Sequence, residues 1–221
     1  MRRLIRALRR GDDRGLTLVE LIVAIGIFSV VVAVCMAGIV IMTRSTVRAD
    51  VVAGSGDAAR TAFQRMERQV RYAESINYPG AGPSGARYVE FRTSAAVSKS
   101  GVATCTQWRW VPSSGALQMR SWNDTSNPSL PAWTTLTSDV LPDADTSGRA
   151  YPFEVNAATA TSPRQTLTLR MRVGNATVDA GVDSETTFVA RNSSVKSVSN
   201  ADANGDGQSD TKVCITGTGR E

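Results

Sequence analysis

The sequence predicts an α+β protein: a long N-terminal helix, one half membrane-spanning and one half amphipathic, packed on an antiparallel β-sheet head. Three observations predict it. From Leu16 to Met42 the chain is apolar apart from Glu20. Residues 57–76 carry apolar side chains at helical spacing. From Tyr88 onward the apolar period falls to two, the period of a strand.

Residues 1–15 come first, as a basic leader. Arg2, Arg3, Arg6, Arg9, Arg10 and Arg14 stand there against Asp12 and Asp13. They account for most of the chain's net charge of +5, so the basic balance describes the leader and argues against a nucleic-acid surface. Basic residues ahead of an apolar span mark a cytoplasmic flank. A helix from Leu16 to Met42 reaches about 40 Å at about 1.5 Å per residue. A bilayer's hydrocarbon core is about 30 Å thick, so residues 16–43 are long enough to cross. They are too long for a cleaved secretory signal, whose apolar part is about 7–15 residues. Val-Ala-Val-Cys at 32–35 is a poor lipoprotein cleavage box, because Val34 is bulky before Cys35.

Residues 44–77 continue the stem. Ala59, Ala62, Phe63, Met66, Val70, Ala73 and Ile76 follow one stripe of a 3.6-residue period. Asp57 suits a helix start, and Pro79-Gly80 a stop. Gly54-Ser55-Gly56 either kinks or breaks the helix or is tolerated within a continuous one; each glycine costs about 1 kcal/mol. Arg60, Arg65, Arg68 and Arg71 interleave with Glu67 and Glu74, the pattern of a solvated face.

Residues 78–221 form the head. Arg87–Arg92 alternates. Residues 105–122 read as a hairpin, with Trp108 and Trp110 on one arm, Leu117 and Met119 on the other, and Pro112-Ser113-Ser114-Gly115 between. In 165–173, Leu167, Leu169, Met171 and Val173 share a face opposite Arg170 and Arg172. Residues 186–192 read as a further strand. A sheet with one greasy face is what an amphipathic helix needs to cover its stripe.

The chain has no histidine, which removes Ser-His-Asp, Cys-His and imidazole-metal chemistry. Cys35 lies in the apolar segment; Cys105 and Cys214 lie in the part expected to be exported. An oxidising compartment favours a disulfide between these two, with two separate thiols as the alternative. Asp202, Asn204, Asp206, Gly207, Gln208 and Asp210 match places one, three, five, six, seven and nine of a calcium loop, so Ca2+ is the only cofactor the sequence suggests. Place twelve is Val213 rather than the bidentate glutamate.

The N-terminal features together resemble the prepilin signal of the type IV pilin-like family. They are a basic leader ending in Gly15, then Leu16-Thr17-Leu18-Val19-Glu20-Leu21-Ile22-Val23. The resemblance implies cleavage by a prepilin peptidase between Gly15 and Leu16 and methylation of the new amino group on Leu16. The family usually has Phe where Leu16 stands. A carboxylate inside a membrane helix costs about 2.5–3.5 kcal/mol unless partnered. The resemblance assigns Glu20 to assembly, paired with a neighbouring subunit's N-terminal amine; the bland reading is a carboxylate that snorkels and supports its own helix end. A long helix on an antiparallel sheet is also the pilin-like architecture. The Trp-rich hairpin after the stem looks like the larger minor pseudopilins, of the J or W type.

The resemblance implies a structural subunit, a minor pilin or pseudopilin of a type IV pilus, competence or type II secretion-like filament, and not an enzyme. Its implied partners are other pilin-like subunits, the prepilin peptidase, an inner-membrane assembly platform and membrane lipid. Its N terminus is then cytoplasmic and its head exported, at the cell surface or in the periplasm after assembly. The competing reading is a single-pass membrane-anchored extracellular binding module or enzyme.

Overall fold

The computed structural model describes Gly15 and residues 17–145, 147–206, 209–214 and 219–220. The chain divides into two compact units, Met1–Val47 and Arg48–Glu221. The leader up to Arg14, and Leu16, lie outside the described residues.

One helix, α1, runs from Leu18 to Val70. It is continuous through Gly54-Ser55-Gly56, so of the two expectations there the unbroken helix is the one that forms. Two glycines cost about 2 kcal/mol in a helix. The following turns recover that cost by burying Ala59, Ala62, Met66 and Val70 in the core. Asp57 is thus an interior residue of α1, not a helix start.

The helix stops earlier than its apolar stripe suggests. Arg71 N–H closes the last turn on Glu67 O at 3.0 Å. Ala73–Ile76, expected to be helical, is instead strand β1. The side chains of Ala73 and Ile76 are buried in either conformation, so spacing alone does not separate the two. Pairing decides it: β1 runs antiparallel to residues 91–93, and the Gln165 carboxamide clasps the buried backbone of Ile76 on both its N–H and C=O. A tertiary partner has overridden local pattern.

After β1 come β2 (Gly80–Ala81), β3 (Arg87–Thr93), β4 (Thr104–Val111), β5 (Ala116–Asn123) and β6 (Thr134–Thr137). Together they make one antiparallel sheet, ordered β1-β3-β4-β5-β6 with β2 against β3. β7 (Val140–Leu141), β8 (Phe153–Asn156), β9 (Thr166–Asn175) and β10 (Ala180–Val189) make a second, ordered β10-β9-β7 with β8 against β9.

The β4–β5 hairpin forms as its alternation predicts, placing Trp108 opposite Met119 and Trp110 opposite Leu117. Gly115 turns it with a φ of 65°; a Cβ there would lie 2.7 Å from Ser138 O, so glycine is required twice over. β9 presents Leu167, Leu169, Met171 and Val173 inward, as expected. β10 differs from expectation. It starts at Ala180 and ends at Val189, because its first half, Asp183-Ser184-Glu185, pairs with β9 through backbone while its side chains stay largely exposed. Polar composition concealed that half.

The core gathers the α1 stripe with Val89, Phe91, Trp108, Leu117, Leu167, Leu169 and Met171. Trp108 Nε1–H donates to Gln69 Oε1 at 2.9 Å, which ties the helix to β4. The opposite face of the first sheet is also covered, but by polar groups. Glu90 accepts from Gln107 Nε2 at 3.0 Å and from both Nε and Nη2 of Arg220, and Arg120 Nε donates to Gln107 Oε1. The Trp133 ring lies between the guanidinium groups of Arg109 and Arg120, at 4.1 and 4.2 Å.

Candidate functional site

Within the first unit the candidate site is the start of α1. Gly15 and Thr17 lie outside helix or strand, and the helix begins at Leu18. Thr17 is its cap: Thr17 O accepts from Leu21 N–H at 3.1 Å, and Thr17 Oγ1 accepts from Glu20 N–H at 3.2 Å. Thr17-x-x-Glu20 has the spacing of a capping box, in which the hydroxyl satisfies an amide that the helix leaves orphaned. Thr17 was missed in reading the sequence, although that spacing was the available signal. Glu20, in the first turn, also lies where a helix dipole favours negative charge.

α1 is long and apolar enough to cross a membrane, by length and composition. Between Leu18 and Val47 its large apolar side chains, Phe28, Ile39 and Met42 among them, are exposed on the isolated chain. Its hydroxyls are folded back onto the helix: Ser29, Thr43 and Thr46 donate to the carbonyls of Ile25, Ile39 and Met42. Each of these three hydroxyls thereby satisfies its donor within the helix, which hydrocarbon favours. Cys35 is exposed and unbonded.

In the second unit Cys105 and Cys214 form a disulfide with Cα atoms 6.0 Å apart. It packs on Trp122 and Val213. The acidic turn nearby is pinned to the head: Tyr78 N–H donates to Ser209 Oγ at 3.1 Å, and Asp210 N–H to Ala201 O. Its oxygens serve its own amides. Asp202 Oδ1 and Asn204 Oδ1 each accept from Asp206 N–H at 3.1 Å, and Asp210 Oδ2 accepts from Ala203 N–H at 2.7 Å. Gly207 and Gln208 lie outside the described residues. Among the described residues no three histidine, cysteine or carboxylate groups gather as a metal set. Burial, with Asp202 and Asp210 close by, raises the Tyr78 phenol above its ordinary value.

Glu20 belongs to the first unit, and the disulfide and the acidic turn to the second. Residues 10–36 match the family model of the prokaryotic N-terminal methylation motif. The N terminus carries the methylation motif that the sequence resemblance to type IV pilin-like chains implies. The matched stretch contains Gly15, Leu16 and Glu20 and carries into the apolar half of α1. No curated protein and no solved structure matches the chain. The long N-terminal helix packed on antiparallel sheet is the architecture expected beside that motif.

Proposed function

We propose that the chain is a minor pilin or pseudopilin, assembled with sister subunits into a type IV pilus, competence or type II secretion-like filament. The single observation that carries this reading is the methylation motif laid over the first turns of an exposed apolar helix. A prepilin peptidase cuts between Gly15 and Leu16, and Leu16 becomes the methylated first residue. Glu20 then lies one turn from a new positive charge, and pairs with the amine of a neighbour. Before assembly the chain sits in the inner membrane with its head exported; afterwards the apolar half of α1 is covered by other subunits. The Trp-rich β4–β5 hairpin supports a place among the larger minor pseudopilins.

Mass spectrometry of the protein from its native cell tests this. The expected mature form starts at a methylated Leu16 and co-purifies with other pilin-like chains. An intact Met1, or a cut near Ala37, points instead to an ordinary anchor. Glu20→Leu is expected to be cut and inserted normally but to drop out of the filament.

Calcium at Asp202, Asn204, Asp206, Gln208 and Asp210 is a second proposal, carried by ligand spacing. Loading requires these oxygens to turn from the loop's amides toward a shared ion. Calcium is expected to raise the melting temperature, and to lower the Tyr78 pKa by neutralising Asp202 and Asp210. Asp206→Ala should abolish both effects.

A further inference from the structure

Most edges of the two sheets are short or covered. β6 closes the first sheet with four residues, and β7 and β8 flank β9 with two and four. β1 has a later segment of the chain along it: the hydroxyls of Ser197 and Ser199 donate to the carbonyls of Glu74 and Ile76. β10 is the exception. It runs ten residues, from Ala180 to Val189, and pairs with β9 on one side only. No bulge interrupts its register, and it contains neither proline nor lysine. Those are the devices that usually close an edge to other chains.

The groups left open follow from the pairing of β9. The amides of Arg170 and Gly174 donate to Pro152 O and Asp139 O, so even-numbered residues of β9 face β7 and β8, and odd-numbered ones face β10. Leu169, Met171 and Val173 lie opposite Thr186, Ser184 and Val182. Facing residues of this kind exchange both ladder bonds. Gly181, Asp183, Glu185, Thr187 and Val189 therefore turn N–H and C=O toward the open side, and among the described residues nothing bonds those groups. The side chains of Asp183, Glu185, Thr187 and Val189 are exposed on the outer face, whereas Phe188 is buried against Phe63 of α1.

We propose that β10 is an acceptor edge for an extended segment of another protein, added antiparallel, in which basic residues alternate with apolar ones. Charge selects that occupant. On the outer face the Asp183 side chain is 83 % exposed, and its Oδ1 comes no closer than 4.0 Å to Arg172 Nε. Glu185 beside it is held by Arg149. A cation opposite Asp183 is favoured, and an acid there is not. The inner face differs. A cleft of about 240 Å3 between α1 and the second half of β10 is lined by Glu67, Arg71, Phe188 and Arg191. Glu67 is already paired with Arg71, so the spare charge of the cleft is positive and its floor is aromatic. It takes an apolar side chain and repels a lysine. The two faces thus agree on which way the incoming basic residues point. A second copy of β10 fits poorly. In the two antiparallel registers of greatest overlap, Glu185 falls opposite Glu185 or opposite Asp183, and like charges directly opposed destabilise a sheet.

The proposal is independent of the filament reading. It is tested on the full-length chain in non-ionic detergent micelles, by fluorescence anisotropy with a labelled peptide of alternating lysine and valine, as long as β10. Saturable binding below about 1 mM is expected, with slower hydrogen exchange at the amides of Asp183, Glu185 and Thr187. The same peptide N-methylated at its lysines, whose amides face β10, should bind about tenfold more weakly. Methylated at its valines, it should bind as before. Asp183→Lys should weaken the unmodified peptide about fivefold, and a glutamate–valine peptide should not bind the unaltered chain. Absence of saturable binding would overturn the proposal, as would protection outside β10, indifference to Asp183→Lys, or equal losses from methylation at lysine and at valine. So would a concentration-dependent dimer that protects these amides without peptide, since the occupant would then be a second copy.

Discussion

The two halves of α1 share one backbone and have opposite fates. From Leu18 to Val47 its apolar side chains cover the whole circumference and are exposed on the isolated chain. From Arg48 to Val70 the buried residues reduce to one stripe of Ser55, Ala59, Ala62, Met66 and Val70. The first half offers an apolar surface to lipid or sister helices; the second has its partner within the same chain. What separates them is the pattern of polarity around the axis, all-round against one-sided.

Mutations should expose that asymmetry. The largest effect belongs to the core that the second half covers. Trp108→Ala, which removes a fully buried ring bonded to Gln69, should cost about 3–5 kcal/mol in thermal unfolding followed by circular dichroism. Ile27→Ala, on the exposed half, should stay within about 0.5 kcal/mol in the same assay. If both cost alike, the contrast between the halves is wrong.

Next come the cysteines, which divide the same way. Cys214→Ser opens a loop spanning 109 residues and should destabilise the head by about 2–5 kcal/mol under oxidising conditions. Cys35→Ser should leave the melting temperature where it was. Equal effects would mean that Cys35 has an unseen partner.

A smaller gain is expected near the boundary. A Cβ at Gly56 meets nothing within 4 Å, so Gly56→Ala should stabilise α1 by about 1 kcal/mol, read as a higher melting temperature. Loss of stability instead would show that the helix needs freedom there.

Acid should act weakly, and on the head alone. Hydrogen bonds from Ser147 hold Asp145 below its ordinary value of 3.8, and those from Arg149 hold Glu185 below 4.5. A folded-state value below the unfolded one gives stabilisation that is present above the unfolded pKa. It is lost as pH falls through the folded value. Both groups are exposed, so a shallow decline below about pH 4 is expected, and Arg149→Gln should remove the Glu185 share of it.

Much of this fold was legible because period and partner agreed. β9 alternates cleanly, and the β4–β5 hairpin carries its own turn. The N-terminal motif was legible for a different reason: it is linear, and its match at residues 10–36 does not depend on folding. Legibility failed where the deciding contact lies far along the chain. The stop at Val70 depends on Gln165 and β3, and the polar start of β10 depends on backbone pairing with β9. Arg170 reads locally as the solvent-facing residue of an alternating strand. Only the folded chain brings its guanidinium to Asp143 and Asp145.

The clasp of Arg220 on Glu90 has a practical corollary. Arg220 also donates to Tyr78 O at 2.9 Å, so this residue is fastened to β3 and to the segment before β2. An epitope or fluorescent fusion appended there pulls on a fastened end and competes with the buried carboxylate. The turn around Ser98–Gly101, exposed and distant from that clasp in the chain, is the better place for a label.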